Sequence, residues 1–460
     1  MSGNADGVLP SEPVRSPFAH GALLLCSLRD DLDQPGVIDF LTGLSKLVGQ
    51  VTAEIDGHTL ASIVVGLTPS FFSVGGTPRF GLAAGQTPLE FASLPSLPPG
   101  CSAIPGDVVI YIVTTAEAVL AQFLLGLAPL KGSLKQVQLE RGFQRANRRE
   151  LGGFLDGLRN ANKDRQKVVF LDRDGDQPDE PVWTQGGTYG AYLKIGQHFD
   201  QWSTLTTAQQ EAAIGRRKDD GSRLDVAAGT PIDQEGPFAS HDQCPASAHI
   251  SKAGPRGDLH DQTEIFRRGL PFVELQADGS TQSGLQFVSF QRSLGAFDTI
   301  FSRWMTNPAF ENPGTGPDAL LAAQGLQFQH GCFFFVPSHD DRYIAAGVFD
   351  PPVEPCRKVG HIVVRKRVED ANAQPVLAEL GGFGFQVFKD NNPITAEFFT
   401  DSQGRARSPE VPMDVALELR EVHPLANFTP APNQAVTLDC PYIVVQMINK
   451  VTQPVPGYGG

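Results

Sequence analysis

The sequence predicts an α+β protein: two ferredoxin-like units, each built on a split βαβ pattern, with an all-β sandwich appended. Three observations carry that reading. Up to about Leu158 the chain runs strand, helix, strand, strand, helix, which is the order of a split βαβ unit. From about Asn160 to Pro351 the same logic recurs, without any repeat of the residues themselves. From His361 onward the runs are short, alternate apolar with polar residues, and are parted by turn clusters, as in a sandwich. At 460 residues the chain also exceeds what one hydrophobic core organises.

Each element has its own justification. "GALLLCSL" (Gly21 to Leu28) reads as a buried strand, and "VIDFLTGLSKLVGQV" as an amphipathic helix, because its apolar residues recur at helical spacing. "LASIVVGLTPSFF" and "DVVIYIVTT" are strand-like, and "AEAVLAQFLLGL" is helical. In the second unit "PVWTQGGTYGAYLKI" reads as a strand with a glycine-rich bulge or turn. "TTAQQEAAIGRRKDDG" reads as a helix capped by Thr206 or Thr207 and stopped near Gly221. "GLQFVSFQRS" and "GCFFFVPS" are strands, with the helical "AFDTIFSRWM" between them. "FDPPVEPCRKVG" is a proline-rich linker, and "KDNNP" and "TDSQGR" are turns of the tail. The expected boundaries are a tail at 1–17, units at 18–158 and 159–351, a linker at 352–358 and a sandwich at 359–455.

Composition narrows the function classes. Hydrophobic content of 41% with 19% charged residues describes a globular chain, and a net charge of −14 argues against nucleic-acid or anionic-membrane binding. The early apolar run is too short to span a bilayer, and the first residues lack a basic segment followed by an apolar core. A cytoplasmic protein with no transmembrane segment is expected, with packaging or non-standard export as the alternatives. Six cysteines stand apart at Cys26, Cys101, Cys244, Cys332, Cys356 and Cys440, without CxxC or CxxCH. They suit reduced thiols rather than a zinc site or covalent haem.

Three places carry chemistry. "LGGFLDGLRN" sets Asp156 among apolar residues and fences it with glycines, which makes it either a turn former or an acid/base. "CPASAHISKAGPR" holds His249 behind small residues, as a structural imidazole or an iron ligand. "EIFRRGLPF" sets Arg267 and Arg268 against an apolar segment, where the bland reading is a solvated pair. Taken together, one imidazole, one carboxylate and one guanidinium suit cleavage of a peroxide O–O bond: the carboxylate moves the proton and the arginine stabilises developing charge.

Here the residues resemble a known family. "GGFLDG" contains the GxxDG motif of the dye-decolourising peroxidases, running from Gly153 to Gly157. "AHISKAGPR" resembles that family's proximal-histidine segment and "FRRGLPF" its distal-arginine segment. "EPVWTQGGTYGAYLKI" and "QQEAAIGRRKDDGSRL" resemble further blocks in the right order, so the likeness spans roughly Phe18 to Asp350. The resemblance implies non-covalent haem b held by His249, with Asp156 as distal acid/base and Arg267, rather than Arg268, as charge stabiliser. It implies that Gly153 and Gly157 let the backbone pass close to the porphyrin. Gly269 stands where some members carry a distal Asn, which leaves more of the task with Asp156. Arg216 is a candidate partner for a haem propionate, with a solvated helix-end arginine as the alternative. Asp298 is one candidate acceptor for the other ring nitrogen of His249, with a turn or cap role as the alternative.

The implied activity is reduction of hydrogen peroxide with one-electron oxidation of phenolic, dye-like or metal-ion donors, Mn(II) among them, through a ferryl intermediate. Two alternatives stand beside it: haem binding or iron release without peroxide turnover, and a partner-docking module acting through the tail. A homo-oligomer is also implied.

The tail from about Val359 to Thr452 resembles the Cna-B (SpaA-type) sandwich, on "VVRKRVED", "FFTDSQGRA", "LELREVHP" and "VVQMINK". Many such domains join a lysine to an asparagine with help from a buried acid. By strand parity Lys366, Glu421 and Asn449 all fall on apolar faces. Burying three such groups separately is costly, so they are expected either to meet or to reach water at strand ends.

Overall fold

The computed structural model describes residues 8, 18–52, 59–83, 85–145, 147–160, 165–173, 177, 179–238, 241–255, 263–310, 312–351, 359–369, 371, 380–401, 403–438 and 442–451. The expected tail at 1–17 (other than Val8), the linker at 352–358, Cys356 and Cys440 lie outside the described residues.

The first unit comprises β1 (His20–Leu28), α1 (Gln34–Thr52), β2 (Ala61–Leu67), β3 (Val108–Thr114), α2 (Glu117–Gly126) and β4 (Leu134–Phe143). The second comprises β5 (Thr188–Gly196), α3 (Thr207–Ile214), α4 (His249–Lys252), β6 (Phe266–Arg267), β7 (Leu270–Leu275), β8 (Thr281–Gln291), α5 (Leu294–Asp298), α6 (Ala319–Ala323) and β9 (Gln327–Val336). Their main strands form one sheet in the order β7-β8-β5-β9-β2-β3-β1-β4. Each half therefore repeats the same interleaved order, and the halves join where Phe335 of β9 pairs with Leu67 of β2. The duplicated ferredoxin-like architecture is the one the pattern predicts.

Alternation along β1 shows how the core is divided. Ala22, Leu24 and Cys26 pack with Phe40, Leu41 and Leu44 of α1, whereas Leu23 and Leu25 pack with Tyr192, Val288, Phe290 and Phe334 of the second unit. The sheet curls until its end strands meet, for a Cβ on Gly142 of β4 would lie 2.6 Å from that of Leu270 of β7. Pro271 is tolerated in β7 because that strand ends the order.

Several local expectations are corrected. The stretch before β5 is a 3-10 turn at Val182–Thr184, and the strand starts only at Thr188. The helix α3 is capped by Thr206, with the Gln209 side chain bonding back to the Thr206 N–H, but it ends at Gly215 rather than near Gly221. Gly215 takes φ 92°, the left-handed geometry that glycine adopts cheaply, and its N–H satisfies the Glu211 carbonyl. The strand after Leu67 gives way to a short helix at Pro69–Phe72. Neither β4 nor β7 is legible in advance, because the first is largely exposed and the second holds a proline.

The C-terminal residues form two further sheets. The first contains β10 (Val359–Glu369), β12 (Arg405–Arg407) and β15 (Tyr442–Val451), with β10 parallel to β15. The second contains β11 (Gly384–Lys389), β13 (Ala416–His423) and β14 (Gln434–Thr437), with β13 central. Ile362, Val364, Phe385, Leu419 and Met447 are among the residues of the core between them. The expected "KDNNP" turn is present, with Asp390 and Asn391 at φ 50° and 63°.

The outer face of β10 is not free. Arg365 reaches Glu90 of the first unit at 2.8 Å, Arg405 lies 3.6 Å from the same carboxylate, and Arg407 reaches Asp179 at 2.6 Å. Val363 and Leu89 add an apolar contact. Burial pushes the Glu90 carboxyl up, but Arg365 and Arg405 outweigh it and hold the group below the ordinary range. Truncation after Pro355 is therefore expected to cost stability rather than remove an inert appendage. The thermal midpoint of the remaining body should fall by roughly 5 °C or more. An unchanged calorimetric transition would show that the seam contributes nothing.

Candidate active site

Asp156 sits in a loop (147–160) braced by its own backbone and by Glu150. The Glu150 carboxylate accepts the N–H groups of Gly152 (2.5 Å) and Phe154 (3.0 Å), and the Asp156 N–H donates to the Arg148 carbonyl at 3.0 Å. Gly153 and Gly157 both take left-handed φ, 94° and 69°. They differ in surroundings. A Cβ on Gly153 would meet the Lys218 side chain at 2.7 Å, whereas one on Gly157 would meet nothing within 4 Å. Space thus opens at Gly157, while Gly153 is held against Lys218. The carboxylate of Asp156 is exposed to that space and is oriented by the Gly157 N–H, 2.6 Å from Oδ1.

Arg267 lies in β6, and its Nη2 donates to the Arg159 carbonyl at 2.9 Å. Burial lowers the pKa of its guanidinium below the ordinary value, and the charges of Asp156 and Glu264 partly offset that. The Asp156 charge thus acts on this guanidinium from a position more than a hundred residues away along the chain. Arg268 points elsewhere: its guanidinium lies over the Tyr111 ring at 5.2 Å and reaches the Ser62 hydroxyl at 3.2 Å. Gly269 faces β8, where a Cβ would come 3.1 Å from Leu285.

His249 begins the single-turn helix α4. Its Nδ1 lies 2.7 Å from Oδ2 of Asp318, a fully buried carboxylate whose Oδ1 also accepts the Leu320 N–H and so caps α6. The imidazole is one-third exposed, and with Nδ1 occupied it is Nε2 that is left to face a metal. The acceptor for His249 is thus Asp318 and not Asp298, which instead lies 3.6 Å from Arg303. The cue was present in "GPDALLAA", where an aspartate opens a helix, but a cap alone does not announce a second partner.

Arg216 is also corrected. Its guanidinium is buried, forks onto the Glu235 carboxylate and donates to the Gly221 carbonyl at 2.8 Å, so it is committed inside the protein and not to a propionate. The segment it anchors joins the two halves of the site. A Cβ on Gly215 would strike Ile250 behind His249, and Lys218 and Gly221 pack on the Asp156 loop at Gly153 and Leu158.

One buttressed imidazole suits iron already held by a macrocycle better than a bare ion. Among the described residues, no cluster of three or more His, Cys, Asp or Glu could hold a metal ion. The fold is a duplicated ferredoxin-like one, and its site holds a histidine buttressed by a buried carboxylate, with Asp156 and Arg267 on two further segments.

Comparison with known proteins agrees. The family model described as "Dyp-type peroxidase, C-terminal" matches residues 147–341. A dye-decolorizing peroxidase of Rhodococcus erythropolis is 24% identical over 369 residues, covering 78% of this chain and 94% of the relative. A deferrochelatase of Escherichia coli is 28% identical over 239 residues, 47% of this chain and 54% of that protein. Ferric DtpA from Streptomyces lividans superposes with a TM-score of 0.60 at 21% identity, over 74% of this chain and 95% of that one. The chain is thus similar to the dye-decolourising peroxidases over about three quarters of its length. It is a haem peroxidase, and its cofactor is haem.

In the tail, the three polar groups predicted to share an interior do meet. The Lys366 Nζ lies 2.8 Å from Glu421 Oε1 and contacts Asn449 Oδ1, and Asn449 Nδ2 donates to the same Glu421 oxygen at 3.1 Å. Phe383 and Phe385 flank the ammonium at 4.4 and 5.2 Å. Burial pushes the Lys366 pKa down to about 8 against the opposing pull of Glu421.

Proposed function

We propose that the chain turns over hydrogen peroxide with His249 as the residue that would hold the haem iron, Asp156 as the proton carrier and Arg267 as the stabiliser of developing negative charge. The observation that supports this most is that the loop carrying Asp156 is hydrogen-bonded through Asn160 to the backbone of Arg267, a link that simple haem carriage does not require. Haem, when bound, supplies the redox centre that takes two oxidising equivalents from peroxide and passes them on singly. Asp156 accepts the proton of the near peroxide oxygen and returns it to the far one, so that water departs. Arg267 faces the negative charge that develops on that oxygen. Asp318 holds the His249 Nδ1–H, which fixes the ring and raises its basicity as a ligand. Phenols, dye-like aromatics or Mn(II) would serve as donors. Trp183, Trp202 and Trp304 are all buried, so none offers an exposed ring to a bulky dye.

The test is the absorption spectrum of haem-loaded protein mixed rapidly with one equivalent of peroxide. A Soret shift in the parent that is lost in Asp156→Ala supports the reading. A parent band that does not move would favour haem or iron handling instead, in keeping with the name of the deferrochelatase relative.

For the tail, the reading is that Lys366 and Asn449 become covalently joined. The neutral Lys366 amine attacks Cγ of Asn449, and Glu421 relays the proton to the departing amide nitrogen. A new amide forms and one ammonia leaves.

A further inference from the structure

We propose that Asn160 is the positioning residue that sets Arg267 opposite Asp156. The inference rests on the peroxidase reading above and deepens it. It begins with an accounting of backbone groups. The strand β6 is two residues long and pairs with β8 only at Phe266↔Phe290 and Arg267↔Ser289. The Arg268 N–H turns toward β8 and bonds to the Val288 carbonyl at 2.8 Å. In an antiparallel ladder successive residues alternate, so the N–H and C=O of Arg267 turn away from β8 and have no strand to meet. Left unmet in a part-buried place, each would have given up its bond to water without a replacement.

Asn160 meets both. Its Oδ1 accepts the Arg267 N–H and its Nδ2 donates to the Arg267 carbonyl, each at 2.7 Å. The carboxamide thus stands in for a peptide group of a neighbouring strand. A carboxylate would supply only the acceptor and a hydroxyl would lack the two-point geometry, so the amide is the side chain that fits. The adjoining Arg159 carbonyl then receives the Arg267 Nη2, so the same two residues fix both the backbone and the head of the arginine.

What makes this functional rather than merely structural is where Asn160 lies. It sits four residues beyond Asp156, on the same braced loop. Glu150 and the Arg148 carbonyl hold that loop at its start. Asn160, on the far side of Asp156, joins it to the strand that carries the guanidinium. The placing of the charge stabiliser relative to the proton carrier therefore runs through the Asn160 side chain, with the Arg159 carbonyl holding the head of the arginine.

The experiment uses the full-length chain with and without haem. In the haem-free protein, Asn160→Ala should speed amide hydrogen exchange in the segment around Arg267. In the haem-loaded protein the rate constant for peroxide should fall on the order of 100-fold, the scale expected when a reacting group is displaced by about an ångström. Haem retention and the KM for the donor should stay at parental values, a split that general loosening would not give. Asn160→Asp keeps the shape and the acceptor but loses the donor, and should fall between the parent and the alanine variant in both readouts. If the alanine variant does not fold, the aspartate variant decides. Parental exchange together with a parental peroxide rate in whichever variant folds would overturn the proposal. In a parent inert to peroxide the peroxidase reading fails by itself; faster exchange in the variant would still support the clamp, and unchanged exchange would overturn it.

Discussion

Asp156→Asn is expected to slow the reaction with peroxide by about 10²–10⁴-fold, the range usually lost with a general acid/base. The substitution keeps the shape and can still accept the Gly157 N–H, so the loop has no reason to move. What it removes is the ability to take a proton and hand it back. The effect should sit toward the upper end here because Gly269 supplies no side-chain donor to share the task. Single-mixing kinetics on haem-loaded protein would measure it. A variant reacting at the parental rate would falsify the assignment of Asp156 and leave its loop as a turn packed beside the cofactor.

The second large effect belongs to the tail. Glu421→Ala should destabilise the sandwich by about 3–5 kcal/mol, the scale for leaving one partner of a buried pair behind. Glu421 accepts from Lys366, from Asn449 and from the Ala431 N–H, so its loss orphans three donors in the core. The variant should also keep the ammonia that the parent loses, which intact mass reads directly. Parental mass equal to the unmodified sequence would dismiss the covalent bond while leaving the stability effect standing. In the unreacted chain, Lys366 titrates at about 8 when folded against an ordinary 10.5. Below pH 8 the folded state carries the full cost of a buried ammonium. As pH rises toward 10.5 the unfolded state keeps the extra proton, so the folded state gains in relative stability. Bond formation should quicken over the same rise through pH 8, since the neutral amine is the nucleophile.

Much of this was legible in the sequence, and the gaps have physical causes. The helices α1 and α2 and the strands β1 to β3 follow from apolar runs whose period matches their element. The strand β4 does not, because it is exposed along most of its length and its pairing comes from β1 rather than from its own pattern. Asp156, Arg267 and His249 could be singled out because each stands in a short recognisable run. Asp318 was missed because its role depends on a contact across 69 residues that leaves no local mark. Arg216 was misread because a helix-end arginine looks alike whether it meets solvent, a ligand or, as here, an internal carboxylate. Lys366, Glu421 and Asn449 came from the likeness to the Cna-B sandwich, and parity supported them, since a strand gives each face every second residue.

That alternation gives β10 an unusual duty. Ile362, Val364, Lys366 and Val368 line one interior, while Val363 and Arg365 close a second one against the peroxidase body. A slip of one position would thrust Arg365 among phenylalanines and present Lys366 to Glu90, wrecking both interiors together. The strand therefore carries a built-in proofreading of its own register, and the two halves of the protein vouch for each other's assembly.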